Sequence, residues 1–143
     1  MAQLDSDMEM PVKKNSRFHF KRIRYSSDNR NTAVEITIAN GNQSFTSFAS
    51  GPSNRQSRLH LTATAVLSAI EKSIKSNGML AVAEVQKLHI GGQSAVAIAV
   101  CLSSNNREDI LLGTALIKGD DLESTVRATL DAVNRKTAIL KNS

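Results

Sequence analysis

Few residues of this chain have the type and spacing that catalysis or metal binding requires. His19, His60 and His89 stand far apart, and none has a cysteine or an acidic residue at ligand spacing. They read as scattered strand and surface histidines, so no metal site is expected. The one cysteine, Cys101, lies in the most apolar stretch of the chain, where a thiol is buried and inert rather than activated. Two pairs of adjacent acids, Glu108-Asp109 and Asp120-Asp121, have the makings of a general acid and base. A solvated turn for the first pair and helix capping for the second account for them more simply. The glycines of GTALIKGDD (113–121) fit neither the dinucleotide nor the P-loop spacing. Gly113 is expected to mark a bulge or a close approach within a strand. The chain is therefore expected to be no enzyme, with no catalytic residue and no cofactor.

Two stretches have the chemistry of binding. In KKNSRFHFKRIRY (13–25), Lys13, Lys14, Arg17, Lys21, Arg22 and Arg24 alternate with Phe18, Phe20 and Tyr25. Cations among aromatics suit a single-stranded nucleic acid, with phosphates on the Lys and Arg and bases on the rings. They suit an acidic protein equally, and a charged edge strand that resists aggregation is the plainer reading. In SGPSNRQSR (50–58), Ser50, Gly51, Ser53, Asn54, Arg55, Ser57 and Arg58 crowd the start of a predicted helix. Unpaired backbone N–H groups there suit an anion or a carboxylate, hence a small polar metabolite. A long polar loop is the simpler account.

The composition sets the frame. The chain has 143 residues, 41% apolar and 22% charged, enough for one domain with its own core. Aromatics make up 3%, so a pocket walled by rings is disfavoured and the core must be Ala, Val, Ile and Leu. The net charge of +5 comes from residues 13–30, where seven Lys and Arg face Asp28 alone. A single cysteine gives no internal disulfide, and MAQLDSDMEM lacks the basic and apolar regions of a signal peptide. No apolar run approaches membrane-spanning length. A cytoplasmic location with no membrane association is expected.

Periodicity then places the elements. Residues 1–15 are polar and aperiodic and read as a disordered tail. Strands are predicted at 17–25, at 32–40 with Val34, Ile36 and Ile38 on one face, and at 43–50, with a hairpin turn in the NGN of 40–42. Leu59, Ala63, Val66, Ile70 and Ile74 predict an amphipathic helix over 56–75, capped by Asn54 or Ser57 and stopped at Asn77-Gly78. The same order recurs: strands at 82–90, 94–104 and 109–119, turns at Gly91-Gly92 and Asn105-Asn106, and a helix over 120–140. Ala33-Val34 aligns with Ala95-Val96, and Leu59, Ala65 and Ala69 with Leu122, Ala128 and Ala132. Phe18, Phe20, Ile23 and Tyr25 align with Ala83, Val85, Leu88 and Ile90. The alternation slips by one in each, as at a β-bulge. The expected fold is α+β: one domain, 16–143, of two tandem β-β-β-α repeats (16–78 and 79–143). They form an antiparallel, six-stranded sheet with both helices packed on one face. Residues 95–101 are apolar on both strand faces, so something must cover the outer one. A homodimer is the simplest cover.

The final strand-to-helix junction, GTALIKGDDLESTVRATLDAVNR (113–135), resembles the C-terminal regulatory domain of 2-isopropylmalate synthases. Gly113, Gly119, Asp120, Asp121, Ala128, Ala132 and Asn134 carry the likeness. The resemblance implies a dimerising domain that binds a small amino-acid effector near the interface of its two units. The 143 residues contain no catalytic barrel, and the SGPSNRQSR loop departs from an expected leucine pocket. The reading that results is a non-catalytic, homodimeric small-molecule-sensing or protein-interaction domain. A nucleic-acid-binding protein using the basic strand is the alternative.

Overall fold

A computed structural model describes residues 17–76 and 78–136. The predicted tail, Lys13, Lys14, Asn77 and the last turn of the predicted second helix lie outside the described residues. Strands β1 (His19–Ser27), β2 (Asn31–Asn40) and β3 (Gln43–Pro52) lead into helix α1 (Arg55–Ile74). Strands β4 (Leu80–Ile90), β5 (Gln93–Ser104) and β6 (Arg107–Leu116) lead into α2 (Asp121–Asn134). The chain is α+β, and the β-β-β-α unit occurs twice.

The strands form two antiparallel three-stranded sheets, ordered β1-β2-β3 and β4-β5-β6, where one six-stranded sheet was expected. Packing explains the difference. Each helix covers its own meander, α1 also reaches β4, α2 also reaches β1, and the helices touch each other. The halves therefore share one apolar core without pairing strand to strand. Three neighbours also bury more of each helix than one stripe. Ala65 and Leu67 in α1 are buried together with the predicted Leu59, Ala63, Val66 and Ile70, while the predicted Ile74 is half-buried; in α2, Ala128 and Ala132 are buried beside Leu122, Val126, Leu130 and Val133.

The repeat is exact enough to be read in register. Val34, Ile36 and Ile38 of β2 face the core, as do Val96, Ile98 and Val100 of β5. Both first strands carry a bulge, at Lys21 between Phe20 and Arg22 and at Ala83 between Val82 and Glu84. The second lies three residues earlier than the apolar spacing predicts. Ile23 and Val85 oppose the equivalent Ile36 and Ile98, so Ile23 matches Val85 rather than Leu88. Leu88 and Ile90 misled that alignment because they are apolar without being core: Leu88 is half-buried and Ile90 is 64% exposed.

Local chemistry fixes the ends. The Asn54 Oδ1 accepts from the Ser57 amide at 2.8 Å and starts α1; Asp120 accepts from the Leu122 amide at 2.9 Å and starts α2. Helix α1 ends before the predicted Asn77-Gly78 stop, because Lys75 takes the left-handed conformation (φ 58). Asn105 and Asn106, both at positive φ, make the tight turn between β5 and β6. Gly113 is the close-approach glycine: a Cβ there would lie 2.1 Å from the Ala128 carbonyl oxygen of α2. At the other end, the Asn134 amide group grips the backbone of Phe18, accepting from its N–H at 2.8 Å and donating to its carbonyl at 3.1 Å.

Candidate functional site

The junction before α1 is largely occupied with holding the fold. The Ser53 hydroxyl lies 3.1 Å from that of Ser27 and 2.9 Å from that of Thr32, and donates to the Asp28 carbonyl at 3.0 Å. Asn54 and Ser57 make the helix cap, and Gly51 packs against Leu61. Ser50 and Arg55 are exposed, Ser50 on the open side of the first sheet.

Arg58 has a different role. Its Nη2 lies 3.1 Å from Asp121 Oδ2, which also receives Lys87 Nζ at 3.5 Å. Arg58 and Asp121 occupy the same position of the two helices: Thr62 bonds back to the Arg58 carbonyl and Thr125 to that of Asp121, each at 2.8 Å. Tyr25 and Lys87 are likewise equivalent, opposite Val34 and Val96. One cluster is thus built from duplicated positions of both halves. Two identical charges would repel there; Arg against Asp attract. The Tyr25 side chain first, and the Asp121 carboxylate next, hold the guanidinium pKa above its ordinary value against partial desolvation. Asp121 thus faces two cations, while Asp120 makes the cap of α2.

The histidines are dispersed: His19, His60 and His89 are all exposed, on β1, α1 and β4. Among the described residues no group of three or more His, Cys, Asp or Glu is placed to hold a metal. No helix among them is long and apolar enough to cross a membrane.

The surfaces with unspent chemistry are the outer faces of the two sheets. On the first, Arg24, Glu35 and Phe48 form one row across the strands, and Arg22, Thr37 and Thr46 the next. Phe48 is 70% exposed, and Arg24 Nε lies 3.7 Å from Glu35 Oε1. An open groove of ≈ 500 Å³ runs past Arg24, Tyr25, Ser26, Glu35, Phe48 and Ser50. Of the predicted basic group, Arg17, Lys21, Arg22 and Arg24 are exposed. The aromatics of that stretch divide. Phe18 is buried and Phe20 packs on the core beneath the Arg127 guanidinium, 5.5 Å from its ring centroid, whereas Tyr25 is 45% exposed.

On the second sheet the matching rows are Gln86, Ala97 and Thr114, then Glu84, Ala99 and Leu112. A third row holds Ala81, Cys101 and Ile110. Ile110, Leu112 and Leu116 are 56%, 64% and 43% exposed. Cys101 is half-buried on this face, not enclosed in the core. Phe48, Ile110 and Leu112 escaped the sequence reading, although each stands in the outward phase of its strand, beside core-facing Ser47, Leu111 and Gly113. That phase was the available signal. A scan of protein-family models and a search of curated proteins find no match to this chain.

Proposed function

We propose that the protein is a non-catalytic protein-interaction domain that pairs with a second copy through the outer face of its second sheet. The observation that carries this reading is the exposed apolar row of Ile110, Leu112 and Leu116 beside the small Ala97, Ala99 and Cys101. Contiguous apolar patches of this kind mark interaction sites. The face carries both a projection and a hollow. Leu112 and Ile110 project, and a hollow of ≈ 220 Å³ lies over Ala97 and Ala99, bounded by Glu84, Gln86 and Thr114. Projection and hollow on one face are what an isologous twofold contact needs. The alanines let two sheets approach to the usual ~10 Å stacking distance.

Magnitude limits the strength of the pair. Three strands of this length present on the order of 500 Å² per partner, about 1,000 Å² in total, the lower limit for a specific interface. An interface at that limit belongs to the weak, transient class, so exchange with monomer in the micromolar range is the expectation. The resemblance to a dimerising regulatory domain adds support. A small-molecule role at residues 50–58 has less, because Ser53, Asn54 and Arg58 already have partners within the fold.

The test is light scattering with chromatography on the wild type, Leu112→Glu and Ala99→Glu. Both substitutions lie on the outer face and leave the core unchanged. The wild type is expected to shift from monomer to dimer with concentration, and both variants to stay monomeric with the melting temperature of the dilute, monomeric wild type. A wild type that remains monomeric, or a variant that still dimerises, refutes the reading.

A further inference from the structure

The two halves offer an internal comparison. Core-facing positions have kept their character across the repeat: Ile23 and Val85, Ile36 and Ile98, Val34 and Val96. Outward positions have not. Lys21, Arg22 and Arg24 stand where the second half has Ala83, Glu84 and Gln86, and Phe48 stands where it has Thr114. The same backbone tolerates either set, so folding does not require the basic and aromatic one. The bulge sharpens the effect. It keeps both Phe20 and Ile23 on the core side, which leaves Lys21 and Arg22 consecutive and exposed, with Arg24 following.

We propose that the outer face of the first sheet binds single-stranded nucleic acid, one base stacking on Phe48 while Lys21, Arg22 and Arg24 hold the adjoining phosphates. Phe48 lies two strands from Arg24, on the order of 10 Å across the sheet, so ring and cations engage base and backbone of the same strand. The groove past Arg24, Tyr25 and Phe48, at ≈ 500 Å³, is open enough for an unpaired nucleoside. A sheet with an exposed ring and flanking cations recognises unstacked bases through their π-faces and phosphates through charge. Glu35 is the one acid in the row; its partner Arg24 remains 67% exposed and free to turn toward a phosphate. An acidic protein would engage the cations but gains little from a lone exposed phenyl ring, so the ring favours nucleic acid.

The experiment is fluorescence anisotropy of the full chain with labelled oligo-dT and oligo-U of about 12 nucleotides, titrated at low and physiological salt. Wild type is expected to bind both, with affinity falling as salt rises. Phe48→Ala is expected to weaken binding about five- to hundredfold, the range of one stacked base, without changing the salt slope. Arg22→Gln with Arg24→Gln is expected to reduce the slope by about 0.7 per contact removed. Neither change touches the core, and matching melting curves confirm that each variant is folded. No binding at low salt overturns the proposal. So does an unchanged affinity in Phe48→Ala, or equal displacement by polyglutamate, which would make the face a site for acidic protein instead.

Discussion

A methyl group on Gly113 would stand 2.1 Å from the Ala128 carbonyl oxygen and 2.5 Å from the Ala132 nitrogen, both backbone atoms of α2. Backbone cannot turn aside as a side chain does, so Gly113→Ala must push the helix off the sheet. The expected cost is about 3 kcal/mol, the upper part of the overpacking range. Chemical denaturation measures it; a loss under about 0.5 kcal/mol would show that helix and sheet separate without penalty. Asp28 organises the β1–β2 turn. Its Oδ1 accepts from the Asn31 amide at 2.7 Å and the Arg30 amide at 2.8 Å, and these bonds hold its pKa below the ordinary value. A depressed carboxylate stabilises the fold fully above its unfolded pKa of about 3.9, and that contribution is lost as pH falls through the lower folded value. Wild type is therefore expected to melt above Asp28→Asn at neutral pH, the gap closing in acid below about pH 4. A gap that stays constant across the range would show that the charge has no part in the turn.

Between elements, the Arg58–Asp121 contact joins the starts of the two helices where equivalent positions of the repeat meet. The side chains are 30% and 16% exposed, which places the pair between a surface bridge and a buried one. Asp121→Ala removes the shared partner of Arg58 and Lys87 and is expected to cost about 1–2 kcal/mol, less than the loss of a fully buried partner. Restoring stability with the double change Arg58→Leu, Asp121→Ala would confirm that the unpaired cation is the source. No recovery would place the cost elsewhere. The elements themselves were legible in the sequence, because period two in Val34, Ile36 and Ile38 and period near 3.6 in Leu59, Ala63, Val66 and Ile70 arise locally. The caps were legible for the same reason. What escaped is long-range: the division into two sheets depends on which helix reaches which strand, and no local pattern encodes that. The register of β4 was misread because Leu88 and Ile90 are apolar on an outer face, and periodicity alone cannot tell a core residue from an exposed apolar one. Phe48 and Leu112 were overlooked by the same blindness.

Across the whole molecule, one core binds two halves whose outer faces have different chemistry. The first carries the exposed cations Lys21, Arg22 and Arg24; the second is apolar and lined with alanine. An arrangement of this kind lets one sheet join copies of the chain while the other remains open, so the dimer would carry two basic faces. Two linked faces bind one long strand with a local concentration that neither has alone. All of this depends on the apolar face closing against a second copy. Cys101 reports on that closure directly, because it lies half-buried in the middle strand of that face, beside Ile110. The decisive measurement is the rate of Cys101 modification by a thiol reagent at about 1 µM and about 100 µM protein, bracketing a micromolar dissociation constant. The account predicts fast modification when dilute, several-fold slower modification when concentrated, and fast modification at both concentrations in Leu112→Glu. Fast modification at both concentrations in the wild type would contradict it.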